Sequence, residues 1–583
     1  MRLAVPIVLL LLTCFLLLSP VLVSAASLVI RIEGIEDAPL ENVTKALVLP
    51  AALQRDDAEL KPLWRRRLVR QAPEKVRLAL EPFGYYHAVV NVRLNEQASP
   101  PQLEVTIVPG DPVRIIRQQI EIEGNRELLA TAISSFPLHE GDIFRHDLYE
   151  QGKSQLLGLA VDHGYLDAEF RRHQVVVDPD ALSASINLLL VTGERYTIGK
   201  VHFSGASDYP EKFLVRYLTV RPGSFFSYAQ LGKSRQNLLD SDRFREVVIQ
   251  PRKEEAVDGQ LPVEIVLDPS PPRRLRPGIG YGTDTGARLS VRGQDLNLLH
   301  RGHELYGDLL IAQLRQDISF SYILPASHDI NTMTALRGGY RAENLKSYDT
   351  RYAYAEAEQL YGLGPQKTGS FFLRFLSERS DLSGDSVSSE QLIPGIRYRQ
   401  SKLDNPVRPS RGYRWSVEGR GAVDLVLAGL PVLQVLGDLQ VIQPLPWESL
   451  LLLRGAAGST LQKDAFQDLP ASLRFFTGGD NSVRGYAYQS LGPTNGQGEV
   501  VGGRHFLAGS IEVERRVATD WGLAAFFDMG NAFDDFTRID ARKAAGIGIR
   551  YYTPVGPARL DIARTIADPD SRFRIHIGLG VSW

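Results

Sequence analysis

From Arg273 to Trp583, apolar and polar residues alternate in segments of about ten, bounded by Gly, Pro, Asp and Asn. A period of two gives each segment one apolar and one polar face, the pattern of strands that show one side to lipid and the other to a wet lumen. Ile318, Phe320, Tyr322 and Leu324 alternate with Asp317, Ser319 and Ser321. Tyr413, Trp415 and Val417 alternate with Arg414, Ser416 and Glu418, and Leu433, Val435, Leu439 and Val441 with Gln434, Asp438 and Gln440. In the final segment Phe573, Ile575, Ile577, Leu579, Val581 and Trp583 share one face, with Arg574, His576, Gly578, Gly580 and Ser582 on the other. Sharing roughly 311 residues among about 16 strands allows about 19 residues for each strand and its connection, and an even number returns both ends of a barrel to one side of the membrane. A soluble two-sheet sandwich also alternates. The aromatic strand ends, Tyr413, Trp415, Trp447 and Trp521, and the N-terminal segment described below favour the barrel.

Ahead of this region, Leu28 to Asp268 carries a threefold repeat of about 80 residues, found by aligning three separate features. Each unit opens with a short strand ending in glycine: Val29 to Gly34, Ile120 to Gly124 and Val201 to Gly205. In the second and third units, Leu138 to Phe144 matches Val220 to Phe226 at the start of a second helix, while the first unit lacks this feature. Phe83-Gly84-Tyr85-Tyr86, His163-Gly164-Tyr165-Leu166 and Asp242-Arg243-Phe244 then close that helix, and strands finish each unit at Leu103 to Val108, Ile186 to Val191 and Val263 to Leu267. The order strand, helix, helix, strand, strand is an α+β unit with helices on one sheet face. The expected organisation is a signal segment over 1–25, α+β units over 26–110, 111–195 and 196–271, and a barrel over 272–583.

Arg2, the apolar run Leu3 to Leu18 and the small residues Val23-Ser24-Ala25 form an export signal with cleavage expected after Ala25. Cys14, the only cysteine, falls inside it, so no disulfide or thiol chemistry is expected in the exported chain. After the signal no run of eighteen apolar residues occurs, so a membrane crossing would need a closed barrel. With 68 acidic against 66 basic residues there is no electrostatic case for nucleic acid.

One stretch late in the barrel region differs from its surroundings. Arg474 to Tyr486 sets two glycines, Gly478 and Gly479, ahead of Val483-Arg484-Gly485-Tyr486. The glycines let a long connection fold back, and Arg484 offers a planar five-donor fork to a carboxylate. Taken by itself this is more often the pattern of a solvated hairpin. The sequence has no G-x-S-x-G, H-E-x-x-H or phosphate loop, and no catalytic residue, metal site or cofactor is expected. His300, His303 and Glu304 have metal-like spacing but fall at a strand connection, and Glu356 and Glu358 read as lumen lining.

Arg474 to Tyr486, Gly502-Gly503, Gly509-Ser510-Ile511-Glu512, Phe526-Phe527-Asp528-Met529-Gly530 and Gly546 to Asp561 with Pro554-Val555-Gly556-Pro557 together resemble the superfamily of outer-membrane assembly factors and two-partner secretion transporters. The α+β repeats resemble polypeptide-transport-associated (POTRA) domains. The resemblance implies a Gram-negative outer-membrane barrel with periplasmic POTRA domains, and a loop whose Arg484 pairs with Asp528 and Glu512 on the inner wall. It implies that the aromatic ending, Phe573 to Trp583, is a signal for barrel insertion. Three repeats and no plug helix resemble the translocation and assembly module (TamA) branch. That branch implies a TamB-like partner anchored in the inner membrane, and client outer-membrane proteins or autotransporters delivered into outer-membrane lipid.

The proposed first strand, Leu275 to Thr283, holds Pro277, Gly278, Gly280 and Gly282, and must close on a last strand holding Gly578 and Gly580. Glycine weakens a strand and proline removes a ladder donor, so this seam is expected to be the weakest in the barrel and to open sideways for a client strand. The alternative is a secretion pore that passes an unfolded client through the lumen, with the Arg484 loop as its gate.

Overall fold

A computed structural model describes residues 28–579 except 48–61, 99–100, 328, 346–347, 383–384, 406–407, 425–431, 463–468, 554–555 and 567–572. The expected signal segment with Cys14, and Gly580 and Trp583 of the expected seam and terminal signal, lie outside the described residues. The chain divides into two compact units. One runs to Val201 and takes in Val220–Gln230 and Pro251–Val263; the other holds His202–Thr219, Leu231–Gln250 and the chain from Glu264 onward.

Within the first unit, β1 (Val29–Glu33), β2 (Val89–Asn95) and β3 (Gln102–Val108) form a sheet in the order β1-β3-β2, with β1 parallel and β2 antiparallel to β3. Strands β4 (Arg114–Glu123), β5 (Glu169–Asp178) and β6 (Ser183–Val191) repeat this as β4-β6-β5. The central strand alternates strictly, so Leu103, Val105 and Ile107 of β3 pack under Val43, Ala72, Val76 and Leu80 from helices Asp37–Ala46 and Pro62–Leu80. In the next sheet Ala184, Ile186, Leu188 and Leu190 meet Leu129, Leu156 and Ala160 from helices Arg126–Ser134 and His146–Asp162. A third α+β unit, through which the division runs, has β7 (Thr197–Ser204), β8 (Phe244–Pro251) and β9 (Gln260–Pro269) in the order β7-β9-β8.

The glycines that end the opening strands have a second reason besides turning the chain. Gly34 and Gly205 lie at φ of 100° and 82°, and a Cβ there would stand 1.9 Å from the Ile107 carbonyl oxygen and 2.2 Å from that of Leu267. The opening strand is thus pressed against the central one at its end, where only glycine fits.

The second unit contains a sixteen-stranded antiparallel sheet in sequential order, from Arg273–Gly282 to Phe573–Leu579, bent into a nearly closed barrel. Its first strand spans Arg273–Gly282 rather than the expected Leu275 to Thr283, and Thr283 lies in the following turn. Outward residues are exposed and apolar, among them Ile279, Ile318, Phe320, Leu433, Val435, Phe573 and Ile575, while Trp447 and Trp521 stand exposed at strand ends. This is the apolar band with aromatic rims that lipid requires. The inner face is cross-braced by charge. Glu356 accepts from Arg337 Nη1 at 2.7 Å and Arg374 Nη2 at 2.6 Å, and Glu358 from Ser370 Oγ at 2.6 Å and Arg397 Nη1 at 3.1 Å.

Side chains of the third α+β unit that belong to this compact unit hold the barrel's turns. Arg243, buried, donates to the Tyr217 hydroxyl at 3.1 Å, the Gly302 carbonyl at 3.2 Å and Glu304 Oε1 at 2.6 Å, and to the Leu296 carbonyl. Asn297 Nδ2 donates to the Asp208 carbonyl at 3.0 Å, and Arg216 Nη2 to the carbonyls of Asp329 at 2.8 Å and Ile330 at 3.0 Å. The His300, His303 and Glu304 group does not converge. Glu304 is taken by Arg243, His303 Nδ1 is 2.5 Å from the Tyr322 hydroxyl, and His300 sits on the turn at φ 55°.

Candidate functional site

The connection between strands Ser449–Leu461 and His505–Arg516 carries the Arg474 to Tyr486 stretch into the barrel interior, where Val483 and Arg484 are buried. Alternation supplies the wall that receives it. Ser510, Glu512 and Glu514 point inward from His505–Arg516 while Ile511 and Val513 face out. Phe526 and Asp528 point inward from Trp521–Phe533, Arg550 from Arg542–Thr553, and Asp561 from Gly556–Ile566.

Arg484 uses nearly every donor it has. Its Nε and Nη2 donate to Oδ2 and Oδ1 of Asp528 at 2.7 and 2.9 Å, a bidentate pair, and its backbone N–H adds a third bond to Oδ2 at 3.0 Å. Nη1 reaches Glu512 Oε2 at 2.7 Å and Asp561 Oδ2 at 3.1 Å, and Nη2 also reaches Ser510 Oγ at 3.2 Å. The guanidinium carbon stands 3.3 Å from the centroid of the Phe526 ring. The motif had named Asp528 and Glu512 as partners; the structure adds Asp561, Ser510 and Phe526.

A second buried arginine, missed in the sequence, ties the same carboxylates together. Arg550 donates through Nε to Glu514 at 2.8 Å, through Nη2 to Glu512 at 2.5 Å and through Nη1 to Asp561 at 2.5 Å. Room for this lattice comes from glycine: a Cβ at Gly548 would stand 1.8 Å from Asp561 Oδ1 and 2.6 Å from Arg550 Nη1, and one at Gly546 2.4 Å from the Phe526 ring. Glycine at two alternate positions of one strand, with an arginine two further on, was the signal available. Two guanidinium groups interleaved with Glu512, Glu514, Asp528 and Asp561 leave each of these charges paired. Deleting Arg484 strands Asp528, and deleting Arg550 strands Glu514, at a cost of about 3–5 kcal/mol.

The same loop reaches the seam. Asp480 lies among the first hairpin turn and the last strand: its backbone N–H donates to Asp284 Oδ2 at 2.9 Å, its carboxylate accepts from the Thr283 hydroxyl at 3.2 and 3.3 Å, and it pairs with His576 Nδ1. Burial, and then the neighbouring Asp480 carboxylate, push the Asp284 carboxyl up to about 6. Gly278, Gly280 and Gly282 leave the inner face of the first strand bare, and Arg288 lies across Gly280, where an added Cβ would be 3.0 Å from its Nε. Arg559 faces Gly578 in the same manner on the other side, at 3.8 Å. Tyr486 packs against Val483 and Leu491, and Gly478 and Gly479 at φ of 101° and 104° turn the loop back. Phe573 is outward and exposed.

A sixteen-stranded barrel with α+β units ahead of it and a loop arginine locked to its inner wall defines an outer-membrane barrel with POTRA domains in the periplasm. Residues 297–583 match the Omp85 superfamily domain, 29–109 the POTRA domain TamA domain 1, and 196–269 the POTRA family described as surface antigen variable number repeat, matches that support an Omp85 superfamily barrel with POTRA domains. It is 21% identical over 476 residues to the outer membrane protein assembly factor BamA of Nitratidesulfovibrio vulgaris, covering 75% of this chain and 58% of that one. It is 22% identical over 470 residues to BamA of Neorickettsia risticii, covering 74% and 60%. The chain thus spans about three-fifths of the length of these relatives. A crystal structure of BamA from Haemophilus ducreyi lacking POTRA domains 1–3 superposes with a TM-score of 0.67 at 16% identity, covering 80% of this chain and 99% of that one.

Proposed function

We propose that the protein is the outer-membrane subunit of a translocation and assembly module of the TamA type, which inserts client outer-membrane proteins or autotransporters by sideways opening between its first and last strands. The observation that carries this reading is the seam. The hydrogen-bonded order of the barrel ends at Arg273–Gly282 on one side and Phe573–Leu579 on the other, and among the described residues no ladder joins them. Each strand has one edge with no ladder partner among the described residues, and once parted such an edge can take an extended client through main-chain hydrogen bonds, while the glycine face lowers the cost of parting them. The process makes and breaks no covalent bond. The TamA assignment within the superfamily rests on three α+β units and on the match of residues 29–109 to the first TamA POTRA domain. A TamB-like protein anchored in the inner membrane is the corresponding partner, reached through the POTRA domains, and outer-membrane lipid receives the client. The alternative, export of an unfolded client through the lumen, requires the Arg484 loop to leave the wall at each passage. The test is a disulfide across the seam: loss of client insertion on oxidation, restored by reductant, supports sideways opening, and unchanged insertion supports the lumen route.

A further inference from the structure

We propose that Asp480 and His576 form a latch across the barrel seam, with Thr283 as its third member, so that the loop held by Arg484 also holds the first and last strands together. The inference deepens the sideways-opening reading and rests on it for its meaning, though the latch itself is a matter of geometry. Arg484 fastens the loop only to the strands that carry Glu512, Asp528 and Asp561, none of which borders the seam. Four residues earlier, Asp480 reaches both closing strands at once. On one side it holds the first hairpin turn through Thr283 and Asp284; on the other it holds His576 of the last strand. Thr283 completes the crossing by donating its hydroxyl hydrogen to Asp480 and accepting from the Ile577 backbone N–H at 3.2 Å.

The hydrogen bonds fix the state of the imidazole. Gly485 N–H donates to His576 Nε2 at 2.8 Å, so that nitrogen carries no proton, and the neutral ring must hold its proton on Nδ1, which donates it to Asp480. Although Asp284, Asp480 and His576 lie close enough to suggest a cation site, neither ring nitrogen has a lone pair to spare. His576 is buried, 2% exposed at its side chain, and it relays the loop's position in two directions: Gly485, beside the anchoring arginine, to one nitrogen and Asp480 to the other. Withdrawal of the loop removes both contacts and the Asp480–Thr283 hydrogen bond, leaving the single Thr283–Ile577 hydrogen bond and a glycine face to hold the seam. Loop docking and seam closure are therefore one equilibrium, and Asp480 and His576 are positioning residues for it.

The test uses the full chain in nanodiscs with no client, reading hydrogen exchange of backbone amides at 274–282 and 573–579, with heat-modifiable gel mobility to establish that each variant is folded. Asp480→Ala should speed exchange in both segments by about tenfold, the size expected for loss of a charge-assisted hydrogen bond. Thr283→Val, which keeps the volume of the side chain, should do so by about threefold. At position 576 the chemistry is separable: Asn retains a donor near the Nδ1 position and should keep most of the protection, Gln retains only an acceptor near Nε2 and should keep less, and Ala least. Wild-type exchange in folded Asp480→Ala and Thr283→Val overturns the latch, as does equal loosening by Asn, Gln and Ala, which marks His576 as packing alone. Faster seam exchange without any change in client insertion leaves the latch standing and removes the sideways-opening reading.

Discussion

The middle of the barrel wall and its seam are built from the same alternating pattern and end with opposite properties. Around strands Asp349–Gly362, Lys367–Leu382 and Asp385–Leu403 the inward positions are filled by Glu356, Glu358, Arg374 and Arg397, each tied to a neighbouring strand, and the strands run to 14, 16 and 19 residues. At the seam the first strand carries Gly278, Gly280 and Gly282 at inward positions, and the arginines that face the seam glycines, Arg288 across Gly280 and Arg559 across Gly578, sit one strand further in. Side chains that cross-link strands make a wall; on the reading proposed above, their absence from one junction makes a door whose closure depends on something outside the sheet. Here that something is the loop.

The largest effect that would sharpen this contrast is expected from Arg484→Ala. It strands Asp528, takes one of their two arginine partners from Glu512 and Asp561, and should cost the docked loop about 3–5 kcal/mol, leaving the barrel inserted but lowering client insertion. Limited proteolysis of the loop reports the undocking. Asp528→Ala should resemble it, and the double variant should fall short of the sum by at least about 1 kcal/mol; full additivity would break the pairing. Next, Glu358→Ala removes the acceptor shared by Arg337, Arg397 and Ser370 and should lower barrel stability by about 1–3 kcal/mol, discounted because both arginines are partly solvated, without raising seam exchange. A matching rise in seam exchange would mean that wall and door are not separate.

Smaller effects concern the hairpin turn and the glycine face. The Asp284 carboxyl, raised to about 6 by burial and by Asp480, favours the docked turn in its protonated form. That contribution is complete below about pH 4, the ordinary carboxyl range, and is lost as pH rises through about 6. Seam exchange corrected for its intrinsic pH dependence should therefore rise over that window in the wild type and stay flat in Asp284→Asn. Smallest, Gly280→Ala should stabilise the first strand by about 0.5–1 kcal/mol and slow its exchange, because the only close neighbour of the added methyl is the flexible Arg288 side chain.

The fold was legible because period-two alternation survives in nearly every barrel segment and because the repeats mark their strand ends with glycine. The position of the seam followed from order alone, since the first and last strands of a sequential barrel must meet. The loop arginine and two carboxylates came from motif resemblance. Asp561 and Arg550 lie inside the matching stretch Gly546 to Asp561 but were given no role by it, because the alternating glycines ahead of Arg550 show space for a crossing arginine only once the register is known. His576 was read simply as an inward residue of the last strand, and Asp480 as part of a glycine-rich turn, since their meeting spans 96 residues of chain.

The central claim, that the seam is a door, is tested most directly by locking it. Cys14 is the only cysteine in the sequence, so in a Cys14→Ser background one cysteine placed at Gly280 or Gly282 and one at Ile577 or Gly578 form a unique pair. The account predicts a disulfide-dependent mobility shift, loss of client insertion in the oxidised protein and recovery with reductant. Full client insertion by the oxidised, shifted species would contradict it.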